Sequence, residues 1–194
     1  METVELGGAR LHVLSAWPGV PGESDRIARE IAKLDPAIIL ADVDTRAALT
    51  LRETAFAPSF VDRLFAEEAK RRFAPETRGL PEHPLVAAGR IARNKKLTLM
   101  PMRPSAKEPG FFARRRATKA IRGIAEIPQD AFPQAFADAA RAAGVFDAGA
   151  DADASQPRLA QALGEGRAPV LALLQPQRVA PFLAIVRAAR KVTV

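Results

Sequence analysis

Apolar and polar residues fall into blocks along this chain that predict strands separated by helices. Leu11 to Leu14 is a short apolar run, and Ser15 to Gly22 reads as the loop that ends it. Ile27, Ile31 and Leu34 then recur at helical spacing, with Ser24 placed to cap the helix and Pro36 to stop it. Ala37 to Ala41 is a second apolar run, followed at once by Asp42 and Asp44.

The alternation continues. Ala47 to Glu53 predicts a short helix, and Ser59 to about Phe73 a longer one with Val61, Leu64, Phe65 and Ala69 facing inward. Its start, Ser59-Phe60-Val61-Asp62, resembles a capping box with Asp in the reciprocal position. Pro75 to Pro84 is a loop, Leu85 to Asn94 a helix, and Leu97 to Met100 a short strand ending at Pro101-Met102-Arg103. A helix beginning near Pro109 has Ala113, Ala117, Ala120, Ile121 and Ile124 on one side, and Arg115, Lys119 and Arg122 on another. A weaker helix breaks near Pro133 and resumes through Ala143. Gly144 to Gln156, with Asp147, Asp151 and Asp153, reads as a flexible linker, and Pro157 as the first position of the next helix. Pro169 to Leu174 is an apolar strand ending at Gln175-Pro176-Gln177-Arg178, and a last helix runs from about Val179 to Lys191.

Strands alternating with helices predict one α/β domain over residues 1–194, with a largely parallel central sheet and flanking helices. Such sheets place ligands beyond the carboxyl ends of their strands. Ser15 to Pro18, Asp42 to Arg46, Arg103 and Arg178 all fall at predicted strand ends.

Composition narrows the chemistry. Hydrophobic residues make up 48% of the chain, enough for a packed core. Without cysteine there are no disulfides, thiolate nucleophiles or thiolate metal sites, and a cytoplasmic location is expected. No apolar run approaches the roughly 18 residues of a membrane span, and no secretory signal is expected at the start. The formal charge of +7 is concentrated: eleven Lys or Arg and one acid, Glu108, lie between Arg90 and Arg122. No phosphate-binding glycine loop or Gly-x-Ser-x-Gly elbow is present.

The order of elements and the strand-end residues resemble the TraB/PrgY family, related to the Tiki and GumN proteins. Members have a first strand ending Gly-Thr-x-His and a second ending Glu-Leu-Asp with Arg close behind. Here those positions hold Ser15-Ala16-Trp17-Pro18 and Asp42-Val43-Asp44-Thr45-Arg46. Met102-Arg103 stands at the family's Asp-Arg, Arg114 to Ile121 follows its basic helix, and Gln175 to Arg178 stands at its Gly-x-x-His. The resemblance implies a TraB/PrgY-like α/β fold. It also implies that the histidines and neighbouring acids serve a metal-dependent hydrolytic site in active members.

Both histidines are replaced, by Pro18 and Arg178. Proline offers no ligand, and a guanidinium repels a metal. His12, within the first strand, reads as a core or sheet-face residue, and His83 as a solvent-exposed loop residue. No metal or other cofactor is expected. The leading expectation is a non-catalytic binding or regulatory domain for an anionic peptide or small ligand held by Trp17, Asp42, Arg46, Arg103 and Arg178. Two alternatives stay open. Asp42 and Asp44, two positions apart, could hold a weakly bound magnesium in a divergent hydrolase. Arg114, Arg115, Arg116, Lys119 and Arg122 could bind nucleic acid or an anionic surface, although Phe111 and Phe112 are expected to pack inward and a solvated face is favoured. Asp147, Asp151 and Asp153 lack calcium-loop spacing. Homo-oligomerisation is left open by the sequence.

Overall fold

A computed structural model of the chain describes residues 1–6, 8–52, 56–103, 108–164 and 169–192, over which five strands alternate with eight helices. The strands are β1 (Glu2–Leu6), β2 (Ala9–Ser15), β3 (Ile38–Asp44), β4 (Thr98–Arg103) and β5 (Val170–Leu174). The helices are α1 (Glu23–Leu34), α2 (Thr45–Arg52), α3 (Phe60–Phe73), α4 (Pro84–Lys95), α5 (Phe111–Arg122), α6 (Phe132–Ala142), α7 (Ala148–Gly164) and α8 (Pro176–Val192). The strands form one sheet in the order β1-β2-β5-β3-β4. β1 is antiparallel to β2, and every other pairing is parallel. The α/β expectation holds, as a mixed and mostly parallel sheet.

β5 lies at the centre, with Val170 opposite both Leu11 and Ile38, and all five of its residues are buried. That explains its unbroken apolar run, because both faces are covered. Leu40, Ala172 and Phe182 belong to the core on one face, beneath α7 and α8. Ile27, Ile39 and Leu173 belong to the core on the other, with α1 and α4. A third core lies off the sheet, where Phe65 of α3 meets Ile121 of α5 and Phe132 and Phe136 of α6.

Several expectations change. β1 escapes prediction because only Val4 and Leu6 turn inward, too short an alternation to stand out. Its turn to β2 uses Gly8 at φ +84°. α1 is preceded by Gly22 at φ +80°, and Ser24 does not cap it: the Ser24 hydroxyl donates to Glu82 O at 2.9 Å. Residues 144–156 are not a linker throughout, since α7 starts at Ala148. Asp147 Oδ1 accepts from the amides of Gly149 and Ala150 at 2.9 and 3.2 Å, and the following alanines favour helix. Pro157 therefore lies inside α7 rather than at a helix start, forgoing one backbone bond. Pro133 sits in the first turn of α6, where its missing N–H costs nothing, so it breaks no helix. β4 continues past Met100 to Arg103. At the Ser59 start of α3, the hydroxyl accepts from Asp62 N at 3.2 Å as a cap should, but the Asp62 side chain turns elsewhere.

Candidate functional site

β3, β4 and β5 end on the same side of the sheet, and each delivers a charged residue or hands the chain to one. Asp42 precedes the end of β3, Arg103 is the last residue of β4, and Arg178 follows β5 in the first turn of α8. The three converge. Arg178 Nη1 donates to Asp42 Oδ2 at 3.3 Å and to Asp62 Oδ1 at 3.1 Å. Its Nε donates to Asp151 Oδ2 at 2.9 Å, and its guanidinium lies 4.7 Å from the Phe146 ring centre. Arg103 Nη2 donates to Asp62 Oδ2 and to the Asp42 carbonyl, both at 3.1 Å. Arg103 Nε stands 2.9 Å from Asp42 Oδ1, an ion pair whose N–H is not aligned as a hydrogen bond. The backbone N–H of Gln175 completes the cage around Asp42, donating to Oδ2 at 3.0 Å.

These charges are withdrawn from water. Asp42, Asp62 and Arg178 are 1%, 2% and 4% exposed. Burial works against ionisation of Asp62, but Arg103 and Arg178 outweigh it and hold its carboxyl below the usual range. For Arg178 burial likewise opposes the charge, and Asp42, Asp62 and Asp151 together raise its affinity for the proton. Buried ions persist only when paired in this way.

A cleft of about 420 Å³ opens over the cluster, lined by Arg103, Arg178, Arg141, Asp151, Phe60 and Phe146 among others. An adjoining hollow of about 380 Å³ shares Asp44, Ser59, Arg103 and Glu108 with it and adds Arg46, which is exposed and outside the ion cluster. The acids of the cleft are already engaged. Asp44 Oδ1 accepts from Ala47 N at 2.7 Å, capping α2, and Asp147 caps α7. Glu108 takes bonds from Phe60 N and Arg114, and Asp151 from Arg178. The cations are less committed. Among the described residues Arg141 reaches only Asp138, at 3.9 Å, and none accepts from Arg103 Nη1 or Arg178 Nη2.

Of the residues singled out in the sequence, Asp42, Arg103 and Arg178 meet, Arg46 stands at the rim, and Trp17 is elsewhere. The Trp17 ring packs 5.9 Å from Phe65 and 6.3 Å from Phe73 in the third core, so it plugs the interior rather than walling the cleft. The backbone N–H of Trp17 donates to Glu23 Oε2 at 2.9 Å. Pro18 beside it is buried, and Gly19 at φ +85° lies so close to α3 that an added Cβ would stand 2.0 Å from Ala66 O. Asp42 and Asp44 do not act as a pair. A register shift between Ala41 and Asp44 interrupts the ladder, one carboxylate is enclosed by arginines, and the other caps a helix.

His12 is 8% exposed, with Nδ1 3.0 Å from Thr3 Oγ1 across the β1–β2 pair, as expected of a sheet residue. His83 is not the exposed residue expected. Its Nδ1 accepts from Leu85 N at 3.3 Å at the start of α4, its ring lies 4.8 Å from Phe56, and Nε2 is enclosed. Burial lowers its pKa to about 4, against a weaker opposing pull from Asp62. Among the described residues, no group of three or more His, Asp or Glu is placed to hold a metal ion. None of the described helices is long and apolar enough to cross a membrane.

Two members of the cluster escaped the sequence reading. Asp62 looked like a cap, yet it sits three positions before Phe65 and four before Ala66, on the buried side of α3. A lone acid on an apolar helix face was the available signal. Asp151 was hidden by reading its helix as a linker. No family model, curated protein or solved structure matches the chain.

Proposed function

We propose that this chain is a non-catalytic relative of the TraB/PrgY proteins that binds a ligand through a carboxylate group at its strand-end cleft. The observation that carries the reading is the enclosure of Asp42: it is 1% exposed, and both its oxygens face guanidinium groups. A carboxylate so held is a poor metal ligand and a poor general base, since either role requires the arginines to withdraw. Arg178, at the position where the resemblance puts a histidine, is one of the two groups that neutralise it.

The remaining donors favour a singly charged acid. Asp42, Asp62 and Asp151 against Arg103 and Arg178 leave a formal −1 in the cluster, and the cleft lining adds Arg141 against Asp44, Asp147 and Glu108. A polyphosphate would meet no net positive field there. One carboxylate, as on an organic acid or a peptide, can instead be held by directed guanidinium hydrogen bonds, with Phe60 and Phe146 against its apolar part.

The test is calorimetric titration of the full chain with benzoate, short peptides whose only acid is the terminal carboxylate, and pyrophosphate, each with and without magnesium. Carboxylate binding independent of magnesium is expected, with pyrophosphate weaker. Retention of stoichiometric zinc, manganese or cobalt through purification, with a hydrolytic activity lost in Asp42→Ala, would overturn the reading.

A further inference from the structure

The phenylalanines that the sequence predicts to pack inward at the start of α5 stand outside. Phe111 and Phe112 are 71% and 73% exposed, their rings in edge-on contact at 5.6 Å. α5 buries Ala117 and Ile121 against the third core. Phe111, Arg115, Lys119 and Arg122 follow one another at steps of four, four and three on the side facing away, with Phe112 and Arg116 beside them. Arg115, Arg116, Lys119 and Arg122 are exposed and have no acidic partner among the described residues. Arg114 is different: it turns back to Glu108 at 3.1 Å and to the Pro109 carbonyl at 2.7 Å. One helix face thus carries two bare aromatic rings in its first turn and four exposed cations behind them.

We infer that this face docks on an anionic lipid bilayer, with Phe111 and Phe112 entering the interfacial layer and the four cations meeting phosphate headgroups. Exposed aromatic rings beside basic side chains suit the boundary between acyl chains and headgroups. A protein groove would demand an apolar stripe along the helix, whereas here the apolar part is confined to one turn. Nucleic acid fits less well. An edge-on ring pair offers no succession of parallel faces for bases, and the face holds no Asn, Gln or acid to read base edges.

The experiment is cosedimentation of the full chain with vesicles of phosphatidylcholine alone or with about a third phosphatidylglycerol. Binding to the anionic vesicles only is expected. R115Q/K119Q/R122Q should weaken it about 100-fold, at about five-fold per cation. F111S/F112S should abolish the part of the binding that survives high salt, and the added emission of Phe112→Trp should shift blue on anionic vesicles. All these positions are on the surface, and circular dichroism checks that each variant is folded. No binding, or equal binding to neutral and anionic vesicles, would overturn the inference. So would single-stranded RNA displacing the protein from vesicles while F111S/F112S binds them as well as the wild type does.

Discussion

Arg178 Nη1 lies 3.3 Å from Asp42 Oδ2, a contact that closes across 136 positions of sequence and joins the turn after the central strand to the end of its neighbour. The pair sits in a cluster whose five charged side chains come from β3, α3, β4, α7 and α8. Removing Arg178 would leave Asp42 and Asp62 buried beside Arg103 alone. Arg178→Met should therefore cost about 3–5 kcal/mol of stability. Combining it with Asp42→Asn should cost less than the sum of the two single changes, by at least about 1 kcal/mol. Urea titrations of the four proteins give both numbers, and simple additivity would show that the two residues do not depend on each other.

His83 and Asp62 set the acid limb of stability in two stages. The folded protein keeps His83 neutral down to about pH 4, whereas an unfolded imidazole is protonated from about pH 6.5. The unfolded state then binds the extra proton, so stability falls as pH drops between about 6.5 and 4, by up to about 3 kcal/mol. Asp62, whose pKa is depressed, contributes stability that is present above about pH 4 and is lost below it. Asn retains a capping acceptor at the start of α4. His83→Asn should therefore flatten the first stage and leave the second, as read by denaturant titration across that range. A slope between pH 6.5 and 5 identical to that of the wild type would remove His83 from the account.

Two glycines with similar backbone angles should respond very differently to alanine. Gly19 at φ +85° faces Ala66 O, while Gly22 at φ +80° has nothing within 4 Å of an added Cβ. Gly22→Ala should cost only left-handed strain, about 1–2 kcal/mol. Gly19→Ala adds a backbone clash and should cost about 2–5 kcal/mol in all. Thermal unfolding midpoints in that order are expected, and equal shifts would mean that the loop after β2 moves freely from α3.

Arg141 separates binding from folding. It lines the cleft, its side chain is 54% exposed, and its ion pair with Asp138 is long, at 3.9 Å. Arg141→Gln should leave unfolding unchanged within about 0.5 kcal/mol while weakening a carboxylate probe about 3- to 10-fold. Unaltered affinity would place the probe away from the cleft.

The parts of this fold legible in the sequence are those where local pattern and burial agree. The uninterrupted apolar runs of β3 and β5 signal strands covered on both sides, and Ile27 and Ile31 mark the inner face of α1. Reading fails where a local signal has two meanings. Asp147 followed by small residues can open a loop or cap a helix, and only packing against α8 makes it the latter. The Asp42–Arg103–Arg178 meeting point is legible from strand ends alone, because parallel strands aim their carboxyl ends at one place. That Asp62 joins from α3, and that both arginines turn donors to carboxylates within the fold, depends on three-dimensional distances that no spacing rule contains. Phe111 and Phe112 mislead for a similar reason: they are apolar, but the two positions fall on the outer side of α5.

β5 is the last strand in sequence and the central one in space. Until synthesis has passed Leu174, β2 and β3 have no neighbour between them, and two apolar strands present open edges. Folding of the nascent chain is consequently deferred until β5 has been made, and truncation anywhere before residue 170 should yield a sticky, chaperone-dependent product rather than a smaller stable unit.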